Sequence, residues 1–285
     1  MKKLLFQLDT DSIANSFDTV VGYDGGADRV ITHAAITPVN VGRLVEGAIF
    51  TRPPKDKKNT ALFVTGSNMA DGQEIFTAIQ EYFFSNFRVS IMLDSGGSNT
   101  TAAAAVALIA SHGDLAGKKA VILAGTGPVG QRAGVLLAKQ GADVTITSRK
   151  LSRAETACSD MQKTFDVTLA AAAVSGREAT DAILEHANIV ITTGASGVKL
   201  INEQQWAEHS TLEVLMDANA SPPLGIEGIK MGDRGEQRHG KLTYGALGFG
   251  NLKLAIHKAC IGRMFESNDQ VFDAEQIYTL AKQFL

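Results

Sequence analysis

Between Gly117 and Tyr244, short runs of apolar and β-branched residues alternate with longer stretches of helical period. That alternation predicts βαβ units around a parallel sheet. The strand candidates are "KAVILAG", "DVTIT", "DVTLAAA", "NIVITT", "EVLMDA" and "KLTYGA". Between the first two lies "PVGQRAGVLLAKQG", a helical pattern that stops at Gly141 as a helix C-terminus does. The block ahead of it has strand-like "KKLLFQL", "AIF", "ALFVTG" and "FRVSIML", separated by acidic or Gly-rich loops, with a helix near "GQEIFTAIQEYFF". Two Ala- or Leu-rich helices, "TAAAAVALIASHG" and "LKLAIHKACIGRMFES", flank the central block. A chain that leaves the first domain through one and returns through the other predicts a smaller α/β domain over residues 1–102, completed by 251–285, and a second domain over 103–250, with the two helices as the hinge.

Composition narrows this picture without redirecting it. A chain of 285 residues exceeds one usual core, which agrees with two domains. Hydrophobic residues at 45% and charged residues at 20% support packed cores. A formal net charge of −3 offers no general basic surface for a phosphate backbone, and the local cluster Arg52, Lys55, Lys57 and Lys58 reads as a solvated loop, so no nucleic-acid partner is expected. The apolar start "LLF" is too short for a signal-peptide core, and "TAAAAVALIA" falls short of the roughly 18 residues a membrane helix needs. A cytoplasmic protein without a membrane partner is the expectation, and Cys158 and Cys260, far apart and outside any CxxC, suit reduced thiols. No metal is expected, because the six histidines fall in no HExxH or other close ligand spacing. "GDLAGKK" lacks the spacing of a phosphate loop, and "GASG" is not a nucleophile elbow.

The chemistry that does emerge begins at "VILAGTGPVG". Gly125, Gly127 and Gly130 stand in G-x-G-x-x-G spacing directly after a strand and at the opening of a helix, the context that gives this short pattern meaning. Gly125 would permit the tight turn, Gly127 the approach of a pyrophosphate, and Gly130 close helix–strand packing; Thr126, Pro128 and Val129 complete the loop. The free N–H groups of the helix N-terminus suit the phosphates. The expected fold class is therefore α/β with a Rossmann-type dinucleotide domain. At the tip of the second strand, where NAD-binding members of this fold place a carboxylate, the sequence reads "TITSRK". A carboxylate would repel a 2′-phosphate, whereas Arg149 can grip one through two charge-assisted hydrogen bonds, with Lys150 adding a point charge and Ser148 a hydroxyl. NADP is the predicted cofactor. Without a ligand, the same cations would be a solvated helix start.

In the first block, Asp9, Asp11, Asp18, Asp24 and Asp28 crowd the first strand and the "GYDGGAD" loop, and Asp94 ends "VSIMLD" before "SGGSNTT". Each suits a cap or turn, and together they could line a cleft. Lys253 is read as the start of the return helix, at the domain junction, with His257 one turn further on the same face.

These residues carry a resemblance. "QLDTD", "FDTVVGYDGGAD", "LDSGGSNTTAAA", "AGTGPVG", "SRK", "NASPPLGI" and "GALGFGNLKL", spread over nearly the whole chain, resemble the bacterial NADP-dependent methylene-tetrahydromethanopterin/methylene-tetrahydrofolate dehydrogenases of methylotrophs. The resemblance implies a pterin domain completed by the C-terminal helices, an NADP domain, and a cleft that closes on substrate. It also implies hydride removal from the methylene carbon bridging N5 and N10 of a reduced pterin, in formaldehyde-derived one-carbon oxidation. A related NAD(P)-accepting family lacks the Arg-Lys pair, so the pair favours the NADP-dependent branch. Because the product cation spreads over two nitrogens, no proton need be abstracted, and catalysis can rest on positioning, worth up to ~7–11 kcal/mol in well-oriented systems. The implied substrate-binding candidates are Asp18, Asp24 and Asp94, which the sequence does not rank as partners of the pterin 2-amino and N3–H donors, together with Asn99 and Thr101. Lys253 matches a lysine at the family's pterin site and is expected to position substrate, not to act as a base. The implied partner is a reduced pterin, tetrahydromethanopterin or tetrahydrofolate, and a homo-oligomer is expected. Two other readings stand beside this one. A shikimate-type NADP dehydrogenase would need the N-V-T-x-P-x-K pattern, for which "TPVN" is a poor substitute. A non-catalytic NADP-binding sensor would use the first block as a protein-interaction surface.

Overall fold

Parallel strands covered on both faces read as unbroken apolar runs, and the central strands here do so. The computed structural model describes all 285 residues. In chain order the first elements are β1 (Leu4–Asp9), α1 (Ser16–Asp24), β2 (Arg29–His33), α2 (Val41–Phe50), β3 (Thr60–Thr65), α3 (Met69–Glu81), β4 (Ser90–Leu93) and α4 (Ser98–Ala110). There follow β5 (Lys119–Leu123), α5 (Pro128–Lys139), β6 (Asp143–Ser148), α6 (Leu151–Phe165), β7 (Ala170–Ala173), α7 (Arg177–Leu184), β8 (Ile189–Thr192), β9 (Val214–Asp217), β10 (Arg234–Arg238), β11 (Lys241–Tyr244), α8 (Ala246–Arg263), β12 (Val271–Phe272) and α9 (Ala274–Ala281). The chain divides into two compact units, Met1–Thr100 with Lys253–Phe284, and Thr101–Leu252.

The first unit carries a five-stranded, fully parallel sheet in the order β12-β4-β3-β1-β2. All six residues of β3 are buried, and its core continues through Leu8, Val45, Ile75, Ile79 and Ile91. The N-termini of its helices have a local cause, since Asn15 caps α1 by accepting from Phe17 N–H and Asn68 caps α3 by accepting from Ala70 N–H. Gln7, fully buried in the centre of the sheet, fastens α1 to β1: its amide donates to Asn15 C=O and its carbonyl accepts from the Thr19 hydroxyl.

The second unit carries a seven-stranded sheet, β10-β11-β9-β8-β5-β6-β7, parallel except for the β10–β11 hairpin. Its strand order reverses between β5 and β8, the place where open α/β sheets hold ligands beyond the carboxyl ends of the strands. Trp206 is completely buried beneath this sheet and donates from its indole to Glu227 C=O.

Several expectations are corrected. "AIF" is no strand: it is the last turn of α2, whose buried Val41, Val45, Ala48 and Ile49 fall at helical spacing. "DVTLAAA" contributes only its second half to β7, because Asp166 adopts a left-handed conformation, φ 53°, that ends α6. The return helix α8 starts at Ala246, inside "GALGFGN", so Lys253 stands two turns within it and not at its first residue. Strands β2, β10 and β12 were not expected from the sequence.

Candidate active site

In the second unit, the chain leaves β5 through Ala124, φ 53°, and Gly125, whose N–H donates to Thr147 C=O. Gly127 occupies the N-cap of α5 and Pro128 its first turn, and no side chain caps that helix start. A methyl group at Gly130 would come within 2.6 Å of the Gly125 Cα and carbonyl oxygen, so the loop and helix touch backbone to backbone. Gly127 differs: a Cβ there would meet no atom within 4 Å, which leaves open space over uncapped N–H groups. Thr126 accepts from Gln131 through its backbone carbonyl, and Val129 is partly buried beside it. The loop therefore fits a pyrophosphate on three counts: the uncapped donors, the clearance, and the tight packing behind it.

Ser148 and Arg149, at the end of β6, line a cavity of about 400 Å³. Its wall also takes residues from the start of α7 and the segment after β8, and it contains three cations and no carboxylate. Lys150 lies outside that wall, as the exposed N-cap residue of α6.

In the first unit, four elements bring a second cluster together. The Lys253 ammonium lies 4.6 Å from the centre of the Phe17 ring and 3.5 Å from His257 Nδ1. It approaches the backbone at Gly97, where φ is +64° and an added Cβ would stand 3.1 Å from Nζ. That left-handed conformation favours glycine. His257 is buried, with Nδ1 3.7 Å from Asp94 Oδ2, Phe63 edge-on at 5.3 Å, and Nε2 without a partner. Burial, more than the opposing pull of Asp94, lowers its pKa to about 4, so the imidazole is neutral at pH 7 and the contact with Asp94 is no ion pair.

The three aspartates named from the sequence meet different fates. Asp94 is buried and committed inward, accepting from Thr100 N–H at 3.0 Å and the Thr100 hydroxyl at 2.6 Å. Asp24 is exposed and pairs with Lys258 at 2.8 Å on the surface. Asp18 is 2% exposed in the first turn of α1, and burial followed by Asp94 pushes its pKa up to about 7, against the pull of Lys253; Asp9 adds to the rise. Asn99 is buried and turned to structure, its amide donating to Leu93 C=O at 2.7 Å and to Asp273 at 3.2 Å. Thr101 is the first residue of the second unit. Sequence reasoning passed over Phe17, which is 46% exposed beside Lys253. Its signal was there in "NSFDTV", an aromatic placed one residue before Asp18 in a helical first turn.

A largely parallel sheet, a glycine loop at a helix start and a cation-lined cavity at the second strand tip together define a dinucleotide-binding protein of the α/β class. The comparisons agree at fold level: the crystal structure of shikimate 5-dehydrogenase from Listeria monocytogenes aligns with a TM-score of 0.52 over 98% of this chain and 96% of its own, at 14% identity. Residues 16–96, which include Phe17, Asp18 and Asp94, match the family described as methylene-tetrahydromethanopterin dehydrogenase, N-terminal. The bifunctional protein MdtA of Methylorubrum extorquens is 51% identical over 99% of both chains. The NAD(P)-dependent methylenetetrahydromethanopterin dehydrogenase of the same organism is 28% identical over 93% of both. The chain belongs to the family of the bifunctional protein MdtA. No helix is long and apolar enough to cross a membrane.

Proposed function

We propose that this protein removes hydride from methylene-tetrahydromethanopterin, methylene-tetrahydrofolate or both, transferring it to NADP and releasing the methenyl pterin. The observation that supports it most is the cluster of Phe17, Asp18 and Lys253 in the unit whose residues 16–96 match the pterin dehydrogenase family. Asp18 is the carboxylate we assign to the pterin 2-amino and N3–H donors, because no internal hydrogen bond contributes to its pKa, whereas Asp94 is spent on Thr100 and Asp24 on Lys258. With a pKa near 7, Asp18 is only partly ionised when free, and donors arriving at it favour the charged acceptor form.

Lys253 serves as a positioning cation. The Phe17 ring accepts its ammonium from one side, an attraction of ~0.5–2 kcal/mol, and Asp18 lies near enough to lower the cost of a cation beside a cationic product. His257, neutral and edge-on to Phe63, brings Nδ1 to 3.5 Å from the lysine ammonium and supplies no charge. In the other unit, the N–H groups of the Gly125–Gly130 loop would hold the pyrophosphate, and Ser148 and Arg149 the 2′-phosphate. NADP supplies the hydride acceptor when bound. The protein's part is to bind and orient, since the step needs no base.

Mixing the protein with NADP and methylene-tetrahydromethanopterin should raise absorbance at the NADPH wavelength. A flat trace with NADP bound would overturn the proposal in favour of a sensor, and turnover of shikimate in its place would assign the fold to a hydroxyl substrate. The same assay with methylene-tetrahydrofolate sets the pterin preference. We further assign the protein to the cytoplasm, in keeping with two buried free thiols, and to a symmetric homo-oligomer, tested by its mass in solution.

A further inference from the structure

The cavity beside the second strand tip holds a cation that no strand-tip motif announces. Arg177 opens α7, directly after Gly176, and lines the same cavity as Ser148 and Arg149. An arginine in a first helical turn opposes the helix dipole, and a carboxylate one turn further on offsets that: the Nε of Arg177 faces Asp181 Oδ2 at 3.6 Å, an exposed i,i+4 ion pair within α7. Asp181 is in turn held by Gln205, whose amide donates to Asp181 Oδ1 at 2.6 Å, and Gln205 is itself part of the cavity wall. This chain of contacts ties the Arg177 guanidinium to the cavity wall through Asp181 and Gln205. The third cation of the wall, Lys199, is engaged by Glu227 at 3.1 Å.

We propose that Arg177, together with Arg149, is a specificity-determining residue that grips the 2′-phosphate of NADP, and that Lys150 does not share this role. The proposal rests on the cofactor reading above and adds a residue to it. Three features support it: both arginines line one cavity of about 400 Å³, that wall has no carboxylate to repel a phosphate, and Lys150 stands outside it. Two planar forks can offer a dianionic phosphate paired N–H donors from β6 and α7, where a lysine offers a point charge. Ser148 and Ser175 add hydroxyls at the same wall.

Equilibrium titration of the full chain with NADP, NAD and adenosine 2′,5′-bisphosphate tests this without any pterin. Arg177→Ala should weaken NADP and the bisphosphate by ~10-fold or more while NAD binding stays within about twofold. Lys150→Ala should leave all three within about twofold of the parent protein, at the scale expected of an exposed charge. Arg177→Lys should recover part of the lost NADP affinity. Unchanged NADP affinity in Arg177→Ala, or an equal loss for NAD and NADP, overturns the inference, as does a selective loss in Lys150→Ala with Arg177→Ala inert. Parent protein that binds NAD as tightly as NADP would overturn the cofactor reading itself, an outcome visible before any variant is made.

Discussion

The two candidate sites are built in opposite ways. The nucleotide loop is assembled from neighbours in sequence: Gly125 to Gly130 form one strand-to-helix turn, and Ser148 and Arg149 end the very next strand. The groups it offers a ligand are largely backbone N–H groups, whose placement follows from chain conformation. The pterin-side cluster gathers Asp18 from α1, Asp94 and Gly97 from the turn after β4, and Lys253 and His257 from α8, residues distant in sequence that only the fold unites. One site is conformation, with little charge to bury. The other is a set of packed polar groups in which burial and neighbouring charges raise the pKa of Asp18 and lower that of His257.

Four changes would break or sharpen that contrast. Gly130→Val should have the largest effect, because its Cβ must displace backbone atoms 2.6 Å away; NADP affinity in a titration should fall by ~100-fold or the fold should lose several kcal/mol in a denaturant melt. Arg149→Ala should next lower NADP affinity by ~10- to 100-fold while sparing NAD, the loss of a charge-assisted fork and not of the loop. Lys253→Ala should raise KM for the pterin by ~10-fold with kcat largely kept, as expected of a group that positions substrate without taking a proton. Unchanged kinetics would remove Lys253 from the site, and a collapse of kcat alone would make it more than a positioning cation.

Asp18→Asn, followed as the stability of the pterin-free protein, is the change most diagnostic of buried charge. The folded state raises the Asp18 pKa from 3.8 to about 7, so between these values the native protein binds the extra proton. The stabilisation is fully present below the unfolded value and is lost as pH rises through the folded one. At pH 8 the variant, free of that ionised carboxylate, should melt higher than the parent in a thermal scan, and the gain should fade as pH falls toward 4. His257 works the other way: its pKa is lowered from 6.5 to about 4, so its share of stability is present above 6.5 and fades as pH falls toward 4. A pH-independent difference between Asp18→Asn and its parent would mean that Asp18 is not a buried acid.

Much of the fold was readable in advance, for a reason visible in particular strands. β3, β4, β8 and β9 are buried along their whole length and stand out as apolar runs. The strands that escaped notice are at or beside the sheet edges: β2 and polar β10 end their sheets, and β12 is two residues long. Half-exposed edges have little apolar signal to read. In "VGRLVEGAIF", three consecutive apolar residues at the end of an amphipathic helix imitated a strand, and only the spacing of buried Val41, Val45, Ala48 and Ile49 distinguishes the two.

A glycine pattern after a strand, a strand tip without carboxylates and a dispersed set of family motifs are properties of the chain as written, since they depend on backbone freedom and on residues a few positions apart. That Asp94 and Asp24 are engaged elsewhere, that His257 is neutral, that Phe17 lies under Lys253, and that Arg177 lines one cavity with Arg149, come from packing. The reason is physical: the strength of a charge is set by its burial and its neighbours, and those come from segments the linear order keeps far apart.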